Sequence, residues 1–115
     1  MFNRLAPILL LLTCRAANAY TGNELYTDLR ELRKITDGQP SKAAINVGKA
    51  TGYVQGLRDM GDVIGLFCTP NQAPLSQVID VVFVYLEKNP KDRHDTALIL
   101  INHALVKAFP CPAKK

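Results

Sequence analysis

Cys68 and Cys111 decide how this chain can close on itself, because a cross-link between them ties its middle to its end. The chain has three cysteines. The third, Cys14, falls in a segment read as an export address and not as part of the fold. Arg4 gives that segment a cation, residues 5–12 read LAPILLLL, and Ala17-Asn18-Ala19 places small residues where a signal peptidase inspects them. The apolar run is about eight residues, far short of the ~20 that a spanning helix needs. A secretory signal over residues 1–19, cleaved after Ala19, is therefore expected, followed by one domain over residues 20–115. A lipoprotein would use Cys14, but Leu11, Leu12 and Thr13 lack the small residue that directly precedes a lipidated cysteine.

Removal of Cys14 leaves one pair in an exported, oxidising setting, for which a disulfide is the direct reading. It closes a loop of about 44 residues, worth roughly 4 kcal/mol in the chain-entropy account. That is a large fraction of the stability of a small domain. The rival arrangement, two thiols joined by His94 or His103 on zinc, has no CxxC or HxxxH spacing behind it.

Composition narrows the class further. With 115 residues, 48% of them apolar and 21% charged, the chain reads as one packed domain and not as a disordered or acidic solvating segment. No repeat of 20 to 50 residues recurs. The formal charge of +4 halves once Arg4 and Arg15 leave with the signal, so no basic stripe remains for nucleic acid or an anionic membrane.

Four helices are expected. Thr21-Gly22-Asn23-Glu24 has capping-box spacing and leads into Leu25, Leu29 and Leu32, which predicts a helix over residues 22–36. Asp37-Gly38-Gln39-Pro40 breaks the chain, and Ser41 is the expected cap of a second helix. That helix carries Ala44, Gly48, Gly52 and Gly56 at intervals of four, a ridge of small residues flanked by Val47, Ala50, Val54 and Leu57. Each glycine costs about 1 kcal/mol against alanine, so a second backbone lying on the ridge is the expected compensation. Residues 61–74 hold too many breakers for one element and read as a pinned loop, with residues 63–67 tucked inward.

Residues 75–88 carry Leu75, Val78, Ile79, Val82, Tyr85 and Leu86 at helical period. Their number outweighs the strand preference of residues 81–85. Asn89-Pro90-Lys91-Asp92 reads as cap, first-turn proline and first-turn acid of a fourth helix. Ala97, Leu98, Ile101, Ala104, Leu105 and Ala108 are its expected core face, and Pro110 ends it. Short connections make neighbouring helices antiparallel, so the fold class is all-α: a compact up-down antiparallel four-helix bundle with one disulfide. In that order Cys68 meets Cys111 at one end, while residues 37–41 and 88–92 share the other.

The chemistry-bearing residues form no constellation. His94 and His103 stand nine positions apart, too far to share a proton or a metal across one turn. His94 with Asp92 and Asp95 has no free thiol and no glycine-flanked nucleophilic serine to accompany it, and the bland alternative is a solvated first helical turn. No P-loop, dinucleotide fingerprint, EF-hand or HExxH occurs, so no cofactor, no metal and no enzymatic activity are expected. Binding is the expected mode of action. Val81 and Val84 on the third helix and Ile99 and Val106 on the fourth lie off the core stripes and predict a homodimer interface, against the alternative that a fifth short helix over residues 63–67 or ordinary surface exposure absorbs them.

Several segments taken together are familiar: Gly52-Tyr-Val-Gln-Gly56, Phe67-Cys-Thr-Pro70, Gln77 with Val81-Val82 and Tyr85-Leu86, Pro90 with Arg93-His94, and Ala108-Phe-Pro-Cys111. They resemble the Rap/Tai immunity proteins of type VI secretion systems over about residues 48–111, which leaves the first helix outside. The resemblance implies a periplasmic, disulfide-bonded helical protein that neutralises a peptidoglycan-cleaving amidase injected by a sibling cell. It also implies homodimers that bind two toxin molecules, a loop of each entering the toxin's cysteine-histidine cleft. The alternative of another class is a small periplasmic acid-stress chaperone of the HdeA kind, although two histidines give little response near pH 6.

For the inhibitory surface the loop with Lys88, Lys91, Asp92, Arg93, His94 and Asp95 is expected, being short, proline-stiffened and dense in charge. Residues 69–73 are the rival. One outcome follows from the cysteine count and the signal together. Intact-mass analysis of exported protein under non-reducing conditions is expected to give a chain starting at Tyr20 and lacking two hydrogens. Two alkylatable thiols would contradict it.

Overall fold

A computed structural model describes residues 19–113 of the chain, so the expected signal segment lies outside the described residues apart from Ala19. The first described helix, α1 (Gly22–Thr36), starts on the anticipated capping box. The Glu24 amide donates to the Thr21 hydroxyl at 3.2 Å and the Thr21 amide donates to the Glu24 carboxylate at 2.9 Å. Its last turn is tied to the following loop through Glu31. Lys34 and the Ser41 hydroxyl both donate to that carboxylate and hold it below the usual carboxylate range.

Ser41 does not cap the second helix, α2 (Ala44–Ile64). Its hydroxyl, two residues ahead of the N-cap position Ala43, accepts from the Ala43 amide at 3.1 Å and is already committed to Glu31. The helix also runs past the expected breaker at Gly61, closing only at Gly65, whose positive φ of 73° suits a left-handed cap. Val63 and Ile64 are therefore helical and exposed, and only Phe67 of that apolar run turns inward. Gly61 is what seats it. A Cβ at Gly61 would overlap the Phe67 ring, so the helix gives up a side chain to let a fully buried aromatic in.

Helix α3 (Leu75–Lys88) has its expected bounds, so helical period prevailed over strand propensity. The fourth helix does not start at Pro90. Residues Pro90–Asp92 form a separate 3-10 turn and α4 is Ala97–Ala108, which moves His94 and Asp95 out of the helix and into the connection. The register of the core face shifts accordingly. Leu100 is buried, whereas Leu98 and Ala108 are exposed.

The core draws Leu25 and Leu29 from α1, Ala50 and Val54 from α2, and a dense set from α3 and α4 that includes Val82, Phe83, Ile101 and Leu105. Cys68 and Cys111 are joined by the expected disulfide, and beside it the Cys68 amide donates to the Phe109 carbonyl at 2.8 Å. The architecture is thus the expected one: four helices, no strand among the described residues, and one cross-link. One placement differs. α1 is antiparallel to α2, with Glu31 near Ser41 and Asp28 near Lys49, and it is also antiparallel to α3, with Arg33 3.6 Å from Asp80 and Tyr26 stacked on Phe83. Residues 37–41 and 88–92 consequently lie at opposite ends of α1.

Gly61→Ala is expected to cost about 1–3 kcal/mol, the usual penalty for overfilling a tight site, read as a lower urea midpoint with an unchanged slope.

Candidate functional site

The connection from α3 to α4 is short and heavily bonded to itself. Asn89 donates from its side-chain amide to the Tyr85 carbonyl at 2.8 Å, Asp92 donates its amide to Asn89, and Asp95 donates its amide to Asp92. Arg93 is the keystone. Its guanidinium donates to the Leu86 carbonyl at 2.7 Å and the Glu87 carbonyl at 3.3 Å, and it lies 3.8 Å over the Tyr26 ring. These donors satisfy carbonyls that the end of α3 leaves without helical partners, and the stacking adds a cation–π attraction.

The six residues expected at this surface therefore divide by role. Lys88, Lys91 and His94 are exposed, Asp92 and Asp95 are half-buried, and Arg93 is turned into the fold. His94 and Asp95 approach to 3.5 Å with the histidine side chain 76% exposed, a pairing that solvent screens strongly. Among the described residues no group of three His, Cys, Asp or Glu side chains is placed to hold a metal, and no helix is long and apolar enough to cross a membrane.

A second surface lies between α3 and α4. An open groove of about 530 Å³ is lined by the apolar side chains of Leu66, Ile99 and Val106 together with Tyr85, Asn102 and His103. Two of the four residues expected at a dimer interface, Ile99 and Val106, thus share one groove. Val84 is exposed, and Val81 is half-buried against the core.

The outward face of α2 departs from expectation. Gly48, Gly52 and Gly56 have open space around them, so no backbone among the described residues lies on the ridge. Val47, Ala50 and Val54, read from the sequence as its flank, are the core face instead. On the open side stand Ile45, 89% exposed, and Val63, 83% exposed.

The sequence also gave no sign of a buried polar cluster between α1 and α2. Asp28, only 6% exposed, accepts from the Tyr20 hydroxyl at 2.6 Å and has the Lys49 ammonium 3.6 Å away. The Tyr20 ring meets Tyr53 edge-on at 5.2 Å and carries the Lys49 ammonium 4.4 Å above it. Burial, then the bond to Asp28, pushes the Tyr20 hydroxyl far above its ordinary range.

A raised hydroxyl stabilises the fold fully below the unfolded value, about 10, and the contribution is lost as pH rises beyond it. The urea midpoint is therefore expected to hold up to about pH 10 and to fall as pH rises above it, with a shallower fall in Tyr20→Phe. Equal pH profiles for the two proteins would contradict this coupling.

A family model described as Rap1a immunity proteins matches residues 21–111, and the chain belongs to that family. No curated protein matches it. The matched span takes in α1, which the resemblance read from individual motifs had left outside.

Proposed function

From that membership we propose that this chain is a periplasmic immunity protein that neutralises a peptidoglycan amidase delivered by a type VI secretion system. The observation that carries the reading is the family match across all four helices. It acts by stoichiometric occlusion and not by catalysis, the mode that membership of an immunity family supports. The export signal read at residues 1–19 and the disulfide both suit an oxidising compartment.

The loop bearing Lys88, Lys91, Asp92, His94 and Asp95 is the surface assigned to the amidase cleft. Arg93 and the internal amide bonds hold that loop in shape, so little conformational entropy is lost when it enters a cleft. A second copy occupies the groove between α3 and α4, where Ile99 and Val106 supply an apolar lining.

Tagged mature protein purified with the products of its neighbouring genes is expected to retain one stoichiometric partner with amidase activity. Lys91→Ala with Asp92→Ala is expected to weaken that complex by on the order of 1–3 kcal/mol. Thermal stability and the dimer, sedimenting as such at tens of micromolar and broken by Ile99→Glu, are expected to persist. Full protection by the double variant, with protection lost on replacing Asn71 and Gln72, would move the site to residues 69–73.

A further inference from the structure

Residues 20–23 and 93–97 exchange backbone hydrogen bonds. The Gly22 amide donates to the Asp95 carbonyl at 2.8 Å, the Asn23 amide donates to the Arg93 carbonyl at 2.7 Å, and the Ala97 amide donates to the Tyr20 carbonyl at 2.7 Å. Thr21 and Thr96 form an antiparallel bridge between them. The starts of two helices each present amides that have no partner within the helix. Here the first two of α1 are taken up by carbonyls of the loop, and the first of α4, whose Thr96 makes no side-chain cap, is taken up by the chain ahead of α1.

Two side-chain facts hold this exchange in register. Gly22 is pressed against the loop so closely that a Cβ there would overlap Leu100 and come within 2.8 Å of the Arg93 carbonyl oxygen. Tyr20 anchors the far side of the strap, its hydroxyl on Asp28 and its ring between Tyr53 and Lys49. The end of a chain frays unless something ties it down. In the mature chain expected from cleavage after Ala19, Tyr20 is the first residue, and these contacts are what tie it down.

We propose that residues 20–23 form a strut that fixes the recognition loop, with Gly22 and Tyr20 as its positioning residues. The recognition half of this inference rests on the assignment of the loop to the amidase. Neither positioning residue touches the partner. They act by keeping Lys91, Asp92 and His94 in one arrangement before the complex forms, which lowers the ordering cost of binding.

The test uses mature protein carrying Gly22→Ala or, in case that variant folds poorly, Tyr20→Ala. Amide exchange is measured in the free protein, and affinity is measured for the co-purified amidase. Exchange at Asn23 and Ala97 is expected to rise at least about tenfold with the amides of α2 unchanged, and affinity to fall at least about tenfold. Gly61→Ala serves as the control. It strains the Phe67 site, and it is expected to lower the melting temperature while leaving loop exchange and affinity as in the parent. Unchanged exchange at Asn23 and Ala97 in both variants would overturn the strut. An equal affinity loss in the control would overturn its positioning role. Faster exchange with undiminished affinity would overturn the loop's assignment, and with it the recognition half of the inference.

Discussion

The disulfide between Cys68 and Cys111 holds what helical hydrogen bonding cannot. Residues 66–74 leave α2 and must reach α3 without regular structure of their own, yet Phe67 among them is fully buried. The cross-link and the neighbouring Cys68–Phe109 amide bond pin this segment to the end of α4. Gly61 supplies the space for the ring. Without the tether, seating Phe67 would require closing a long loop against chain entropy each time the protein folds.

The connection between α3 and α4 has no covalent tie, and backbone bonds take its place. Arg93 closes the end of α3 from one side, while the first turn of α1 supplies donors and Tyr20 ahead of it an acceptor from the other. The consequence for function is a projection that is exposed at Lys88, Lys91 and His94 but fixed at its base. A surface of that kind suits occlusion, since binding then consists of docking a shape already formed.

Local signals were legible in the sequence and relative placements were not. The Thr21–Glu24 capping box, the bounds of α1 and α3 and the cysteine pair all follow from residue type and spacing. The start of α4 differs because Asn89-Pro90-Lys91-Asp92 begins a 3-10 turn as readily as an α-helix, and the connection is held by tertiary bonds that spacing does not show: Arg93 to the Leu86 and Glu87 carbonyls, and the Gly22 and Asn23 amides to the Asp95 and Arg93 carbonyls. The glycines of α2 were assigned to a packed face, yet one turn of the helical wheel places Val47, Ala50 and Val54 toward the core and the glycines away from it. Nothing in the spacing of Tyr20, Asp28, Lys49 and Tyr53 shows that they meet, because their meeting depends on how α1 lies against α2.

Hydroxyl-radical footprinting of the protein bound to its co-purified partner against free protein tests the central claim most directly, since His94 and Met60 are both exposed and readily labelled. Occlusion through the loop between α3 and α4 predicts strong protection of His94 with Met60 labelled as in the free protein. Undiminished labelling of His94 together with protection of Met60 would contradict it and place the partner on the outward face of α2.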